Sequence, residues 1–506
     1  MKNITIFISN NGNYYLYNSF QKRLHCVEKN IWQIIQLIDK NGVDLLNDYY
    51  QFLPLLIDHK INITFSQFDK YKTKILYYID GYDGDLYAIK PITKITPENI
   101  KYGLSNKPNI VFELTERCNL HCKYCGYGDF YNRYDTRQGN DLELHNAKQI
   151  IKYIFDLTNS SYSISDKQTI AISFYGGEPL LCFDLIKKIV LFTKELETES
   201  RSFTFNMTTN AILLDKYVDF LQEHSFSLLI SLDGNRNNNS YRVFKNGQES
   251  FPIVISNIKY VMKRYADYFK KNISFNAVLH DRNSCKEIND FVLSNFNKKP
   301  MINEVLYDGF VEEKKEELLK MFKNKYEHIH SSEDYFQQLH DTDFSIIPDY
   351  HDTLFFIHFM CNLSYFDYKS LFLNLPRPIK LTGTCIPLDK SIFITANGKI
   401  LPCEKTNHKY CMGYIDREDV HIDFEKIADQ YNAYLRQLNI LCSTCYLIAS
   451  CNQCLYFLDF DKKEPVCCYG HLNKKKFASY MQDIVSYMEK YPLTFNNIIV
   501  DSVLEV

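Results

Sequence analysis

Between residues 108 and 296 the chain alternates strand-like and helix-like segments without a break. NIVFELT reads as a strand. It is followed by a helix (AKQIIKYIFDLT), a strand (TIAISFYG), a helix (FDLIKKIVLFTKEL), a strand (SFTFNMTTN), a helix (LLDKYVDFLQEH) and a strand (SLLISLDG). A helix over PIVISNIKYVMKRYADYF, the strand ISFNAVL and a helix over SCKEINDFVLSNF complete the run. Repeated βα units of this kind imply a parallel sheet with helices outside, either open or closed into a barrel. The expected fold class is therefore α/β. Chemistry in such folds belongs at the C-terminal ends of the strands, and the motifs of this region sit just after strands.

The flanks read differently. Residues 1–105 are poor in cysteine. ITIFIS and YYLYNS are short β-like runs split by the turn signal NNGN, and NIWQIIQLIDKNG places Ile31, Ile34, Ile35 and Ile38 at helical spacing with Gly42 as a stop. KILYYID and LYAIK, split by GYDGD, read as further strands, so this block is expected to be a small α+β domain. The run of βα units is assigned to residues 106–295. Residues 296–380 read as a connector containing a charged amphipathic helix, EEKKEELLKMFKNKYEHIH. A cysteine-rich region spans 381–475, and a helical tail, 476–506, closes the chain.

At 506 residues, 45% hydrophobic and 24% charged, the chain can bury sizeable cores. A net charge of −3 argues against a protein that coats nucleic acid. The N-terminal MKNITIFISNNGNYYLYN lacks a basic segment followed by a long apolar run, and no uncharged apolar run of about 18 residues occurs, so neither a signal peptide nor a membrane span is expected. The expected location is cytoplasmic. Reduced cysteines clustered in such a compartment point to metal rather than disulfides. Of sixteen cysteines, three lie at 118–125 and nine between 385 and 468. Cys26, Cys182, Cys285 and Cys361 are scattered and read as small buried hydrophobes.

Residues 118–125, CNLHCKYC, place Cys118, Cys122 and Cys125 on one loop directly after the first strand. Three thiolates cannot close a tetrahedral zinc site or cap all four irons of a cubane cluster. Either a further ligand such as His121 completes a zinc loop, or the C-x2-C pair is redox-active, or one iron stays open for a small ligand. The motif resembles the C-x3-C-x-Φ-C signature of the radical SAM superfamily, Φ being aromatic. That resemblance implies a 4Fe-4S cluster on the three cysteines, S-adenosyl-L-methionine on the open iron, Tyr124 near the adenine and a partial (β/α)6 barrel. The segments after the next strands follow the same order. FYGGEP, with Gly176, Gly177 and Glu178, resembles the segment that meets the methionyl amine. TTNAILL, with Asn210, resembles the ribose region, although Ala211 stands where glycine is usual. SLDG supplies Ser231 and Asp233, and YRVFKNGQESF supplies Arg242, which can pair with the methionyl carboxylate.

The C-terminal cysteines form a second constellation. SIFIT and KILPC flank Ala396-Asn397-Gly398, and Asn-Gly is a strong two-residue hairpin signal, so Cys385 and Cys403 are expected to be brought together by a hairpin. LCSTCYLIASCNQC then spaces Cys442, Cys445, Cys451 and Cys454 as C-x2-C-x5-C-x2-C, followed by Cys467 and Cys468. Two C-x2-C pairs also suit a zinc ribbon, which would leave the others unused. The stretch resembles the SPASM domain found behind radical SAM barrels, with one departure, x2 instead of x3 before Cys454. The resemblance implies two auxiliary 4Fe-4S clusters. Cys385, Cys403 and Cys454 would serve the first, with Cys411 or an open iron in the fourth place. Cys442, Cys445 and Cys451 would serve the second, with Cys467 or Cys468. Glu404 stands where sulfatase-maturing relatives carry a base; a surface salt bridge is the plain alternative.

The reading implied is an enzyme: a radical SAM maturase of a ribosomally synthesised peptide that abstracts hydrogen and forms a thioether or carbon–carbon crosslink. The N-terminal block would take the leader of the precursor peptide as an added strand, and a flavodoxin or ferredoxin would serve as electron donor. Anaerobic sulfatase maturation to formylglycine and peptide epimerisation are the alternatives within the same chemistry. A non-catalytic peptide-binding or zinc protein is the alternative outside it.

Overall fold

The computed structural model describes residues 4–19, 21, 23–80, 90–92, 94–106, 108–306, 309–323, 378–380, 385–442, 445, 454–458, 460 and 474–492. Two compact units emerge: residues 1–94, 341–384 and 432–506 form one, and residues 95–340 and 385–431 the other. The cysteine-rich region read as one block over 381–475 is therefore divided between them.

In the first unit β1 (Ile4–Ile8), β2 (Tyr14–Asn18) and β3 (Arg23–Val27) make an antiparallel sheet in the order β1-β2-β3. Helices α1 (Lys29–Asn41), α2 (Tyr49–Asp58) and α3 (Phe65–Asp80) follow. The isoleucines at helical spacing on α1 are buried against Leu16, Phe52, Leu56 and Ile75, and Gly42, at φ 103°, ends the helix. KILYYID corrects the sequence reading, since it is the last part of α3 and not a strand. Its own residues favour strands, but the longer window carries Phe68, Tyr71, Ile75, Tyr78 and Ile79 at helical spacing toward the same core. Strand β3 and helix α2 were not anticipated. Strand β4 (Lys90–Ile92) pairs in parallel with Pro378–Lys380, and the LYAIK run otherwise lies outside the described residues.

The second unit opens with α4 (Pro97–Asn106) and then the alternating run: β5 (Asn109–Thr115), α5 (Leu144–Thr158), β6 (Gln168–Gly176), α6 (Phe183–Leu196), β7 (Arg201–Thr209), α7 (Leu214–Glu223) and β8 (Ser227–Ser231). The expected long helix is broken into α8 (Phe251–Arg264) and α9 (Ala266–Asn272), followed by β9 (Ile273–Leu279) and α10 (Cys285–Phe296). Ser284 caps α10 by accepting from Glu287 N, with Glu287 reaching back to it, and Asn297 closes the helix at φ 50°. One more strand, β10 (Pro300–Glu304), lies inside the stretch read as a connector and pairs in parallel with β9. The charged helix expected next is shorter than read: α11 (Lys315–Met321) ends at Phe322, which is extended and bridges to His280, and the residues from 324 lie outside the described ones.

Strands β5 to β10 stand side by side in chain order, all parallel. The sheet does not stop at β5. After β11 (Pro378–Lys380, in the first unit) comes β12 (Ile392–Ile394), which pairs in parallel with the outer edge of β5. Strands β13 (Lys399–Leu401), β14 (Gly413–Ile415) and β15 (Val420–Ile422) extend the sheet antiparallel to ten strands. Helix α12 (Phe424–Cys442) follows, and α13 (Lys474–Lys490) lies near the end of the described chain. The hairpin read from the Asn-Gly signal forms, with the turn over Ala396, Asn397 and Gly398 and Gly398 at φ 80°.

The faces of the parallel strands differ. On β6 and β7, Ile170, Ile172, Phe174, Phe203, Phe205 and Met207 are buried. Between them Thr169, Ser173, Ser202, Thr204, Asn206 and Thr208 remain partly or fully exposed. A parallel sheet covered on both faces reads as continuous apolar runs. The alternation here leaves one polar face open. Among the described residues no helix is long and apolar enough to cross a membrane.

Candidate functional site

The loop of Cys118, Cys122 and Cys125 leaves the end of β5 and is held by its neighbours' ends. Gly177 N donates to Thr115 O at 2.8 Å and Glu178 N to Arg117 O at 3.0 Å. The two glycines of FYGGEP are required by this approach. A Cβ on Gly177 would lie 2.0 Å from Arg117 O, and Gly176 sits at φ 122° with Thr115 O 2.6 Å from its Cβ position. Their small size thus admits the chain's own cysteine loop, where the sequence had suggested a ligand. On the other side His121 N donates to Val243 O at 2.7 Å and Lys123 N to Tyr241 O at 3.1 Å.

The thiols are in electrostatic reach of one another. Burial raises Cys118 to about 11, with Cys125 and Glu178 adding to the rise and the Leu120 N–H opposing it. Burial also raises Cys122 to about 12, against the pull of the Arg242 cation. As bare thiols Cys118 and Cys122 stay protonated at neutral pH. A bound iron would supply the charge that stabilises thiolates and would release their protons.

Glu178, 1% exposed, is satisfied from within the chain. It accepts from Thr209 Oγ1 at 2.7 Å, Leu180 N at 3.1 Å and Asn210 N at 2.8 Å. Burial nevertheless raises its carboxyl to about 7, with these three bonds opposing the rise. Asn210 Nδ2 donates to Asn119 Oδ1 at 2.7 Å and approaches Cys118 Sγ at 3.8 Å. Ala211, in place of the usual glycine, keeps a glycine-like φ of 62° and is fully buried. Ser231 ends β8, half-buried at the edge of the open polar face.

Asp233 is the hub of the remaining group. Fully buried, it accepts from Arg242 Nε at 3.0 Å and Nη2 at 3.2 Å, and from Val278 N at 3.0 Å. Tyr124 Oη also donates to it. His280 stacks on the Tyr124 ring at 5.6 Å. Burial works against the Asp233 carboxylate, but the Arg242 charge and the bonds from His280 and Tyr124 outweigh it and hold the group down to about 2. The structure thus gathers Cys118, Cys122, Tyr124, Gly176, Gly177, Glu178, Asn210, Asp233 and Arg242 at the ends of β5 to β8.

The C-terminal cysteines are less concentrated. Burial raises Cys403, with Glu404 and Cys385 adding to it. Its Sγ lies 3.2 Å from Thr406 Oγ1. Cys411 is exposed and its Sγ donates to Gly413 O at 3.1 Å. Cys442 and Cys445 flank the end of α12, with Cys445 N donating to Cys442 O at 3.0 Å. Together with Cys454 they belong to the first unit, whereas Cys385, Cys403, Glu404 and Cys411 belong to the second. Cys451, Cys467 and Cys468 lie outside the described residues, as does Cys361. Cys182 and Cys285 are buried as expected, but Cys26, on an edge strand, is exposed.

Some residues near the site were invisible to sequence reasoning. Arg133, 2% exposed, donates from Nη2 to Lys405 O at 2.6 Å, and His408 N donates back to Arg133 O at 3.0 Å. Asp135 N donates to His408 Nδ1 at 3.2 Å. This bracket ties the segment after Cys125 to the segment after Cys403. Between them Tyr134, raised to about 12 by burial, feels Cys125, Glu404 and Cys403 together. Glu113, buried within β5, pairs with Arg137 at 2.7 Å and accepts from Ala396 N at 3.1 Å, fixing the hairpin turn to the site. Nothing in the spacing of these residues announces such contacts. The open polar face did carry a signal, the alternation in SFTFNMTT.

Residues 112–292 match the family model described as the radical SAM superfamily. The cysteine-type anaerobic sulfatase-maturating enzyme of Clostridium novyi (strain NT) is 29% identical over 154 residues, covering 30% of this chain and 39% of that protein. The radical SAM cyclopropyl synthase TigE of Paramaledivibacter caminithermalis is 23% identical over 284 residues, covering 55% of this chain and 56% of that protein. The chain thus spans about half the length, or less, of these curated relatives. The solved structure of native anSMEcpe with bound AdoMet has a like fold, with a TM-score of 0.50 and 16% identity over 76% of this chain and 99% of that one.

The residues present fit the groups that this family implies. Three thiols on one loop, with Arg242 in charge reach of Cys122, are a donor set that leaves one iron of a cubane cluster without a protein ligand. The loop that carries them packs directly on Gly176 and Gly177, where any Cβ would meet the backbone of Thr115 and Arg117. Over residues 112–292, which include the cysteine loop, the chain is thus similar to the radical SAM superfamily.

Proposed function

We propose that this chain is a maturase of a ribosomally synthesised peptide. A peptide carbon would lose one hydrogen atom to the 5′-deoxyadenosyl radical and join to sulfur or carbon, with the partner atom's proton passing to a base and the remaining electron to an auxiliary cluster. Cys118, Cys122 and Cys125 would hold the 4Fe-4S cluster, and Tyr124, Gly176, Gly177, Glu178, Asn210, Ser231, Asp233 and Arg242 would form the pocket for S-adenosylmethionine. When bound and reduced, these groups supply a 5′-deoxyadenosyl radical able to abstract hydrogen. The six parallel strands β5 to β10 would curl as a partial (β/α)6 barrel, with the peptide on its polar open face. Cys385, Cys403, Cys411, Cys442, Cys445, Cys451, Cys454, Cys467 and Cys468 would carry auxiliary clusters in a SPASM-like arrangement, and Glu404 would act as base.

The observation that carries the peptide assignment is the first unit. Its β3 pairs only with β2 among the described residues, so its outer edge can accept a further strand. His25 on β3 faces Tyr78 of α3 at 4.7 Å, so that edge has an aromatic wall. A leader segment would add there as a strand. TigE, a cyclopropyl synthase by name, supports carbon–carbon bond formation in relatives of this chain.

A second reading, formylglycine formation in a sulfatase, is supported by the likeness to the Clostridium novyi enzyme. The two are separated by co-expressing this protein, anaerobically, with a short peptide encoded beside it. Intact mass is then compared between wild type and Cys118→Ala. Loss of two hydrogen atoms dependent on Cys118, with fragmentation locating a crosslink, is the expected result. An unchanged peptide together with conversion of a sulfatase cysteine or serine would replace the first reading with the second.

A further inference from the structure

Arg242 is anchored more firmly than a ligand-binding arginine requires. Asp233 takes its Nε and Nη2 in a fork, at 3.0 and 3.2 Å, and both residues are buried. The same carboxylate receives Val278 N from β9 and Tyr124 Oη from the cysteine loop. The return path from Asp233 to Arg242 is equally fixed. Asn239 Oδ1 accepts from Asp233 N at 3.2 Å, and Gly234, at φ 116°, leaves room for Asn238, whose Oδ1 would lie 2.8 Å from a Cβ there. Arg242 Nη1 has no acceptor among the described residues. The Tyr124 ring lies 5.4 Å from the guanidinium. One edge of the guanidinium is thus committed to Asp233.

We propose that Asp233 is a positioning residue: it fixes Arg242 so that the free edge receives the carboxylate of the amino-acid moiety of S-adenosylmethionine. This rests on the radical SAM reading of the site given above. An arginine fork is a directional donor, and a second carboxylate is bound well only if the first holds the plane still. Because Asp233 neutralises Arg242, the free edge offers geometry with little net charge, so it selects a zwitterionic amino acid over a simple anion.

The test uses the full chain with its clusters reconstituted and two probes, S-adenosylmethionine and 5′-methylthioadenosine. The second shares adenine, ribose and sulfur but has no amino-acid part. Binding is measured anaerobically by calorimetry. Asp233→Glu keeps the charge but shifts the carboxylate by one methylene. It is expected to weaken S-adenosylmethionine about tenfold beyond any change in 5′-methylthioadenosine, the loss of one charge-assisted hydrogen bond. Should that variant fail to fold, Asp233→Asn, which keeps one acceptor in place, is read by the same pair. A proportional loss of both probes would make Asp233 merely structural, and no loss of either would overturn its positioning role. Arg242→Ala separates the two levels. If it binds S-adenosylmethionine as the wild type does, the carboxylate reading of Arg242 itself is wrong. If it weakens binding but Asp233→Glu does not, only the positioning role falls.

Discussion

The chain holds two groups of cysteines built on opposite plans. Cys118, Cys122 and Cys125 fall within eight residues of one half-buried loop that is hydrogen-bonded to the segments on both sides of it. The C-terminal cysteines are spread over more than eighty residues and two compact units, and one of them, Cys411, is exposed. A short motif can be completed by the ends of neighbouring strands, which the sheet brings together anyway. A dispersed set can be completed only after distant segments have folded. The first is therefore legible in sequence and hard to perturb without loss, whereas the second is tolerant in its parts.

The largest expected effect breaks this contrast most directly. Cys118→Ala should abolish S-adenosylmethionine cleavage, whereas Cys403→Ala should keep cleavage and lose peptide product. Cleavage products measured by chromatography beside iron and sulfide content would decide it. Equal loss in both variants would mean that the two groups act as one. Next, Gly177→Ala should destabilise the second unit by about 3 kcal/mol, the upper range for overpacking, because its Cβ meets the Arg117 carbonyl at 2.0 Å. A shift in the denaturant midpoint with reduced iron loading is the expected outcome, and an unchanged midpoint would refute the packing argument.

A smaller effect follows from pH. The Asp233 carboxyl is held down to about 2 in the folded chain, against an ordinary value near 3.8. Its contribution is present above the ordinary value and is lost as pH falls through about 2, a change of about 2 kcal/mol. Asp233→Asn should flatten the acid limb of the stability profile over that window. Smallest of all is Lys399→Met. Its ion pair with Asp135, at 2.7 Å, is exposed on both sides, so its loss should cost less than about 0.5 kcal/mol. The contrast between buried and exposed ties around the two cysteine groups would be sharpened by finding that order.

Much of this was readable beforehand because strand and helix periodicities are local. β5, β6, β7, β8 and β9 lie where the alternating pattern put them. What failed was what depends on partners far along the chain. KILYYID carries strand-favouring residues, yet its helix is decided by a core contributed from β2, α1 and α2. β10 is short, with exposed Met301, Asn303 and Glu304, and gains its place from β9 and from Ile302 packed against Ala277, Leu279, Cys285 and Ile288. In the site, the cysteines, the paired glycines, Asp233 and Arg242 announced themselves through motif spacing. The cause of the glycines did not, because the atoms they avoid belong to Thr115 and Arg117, about sixty residues earlier. Nor did the Arg133 and His408 bracket, which joins segments more than 270 residues apart.

The placement of β12 against β5 has a consequence for biosynthesis. Ile392 pairs with Ile110, and 282 residues separate them. A ribosome adding roughly 5–20 residues each second needs about 15–60 s to cover that distance. Throughout that interval the outer edge of β5, a buried strand of the finished sheet, is an unpaired template beside a loop of three thiols. The sheet can close on that side only once the chain has been made as far as residue 392.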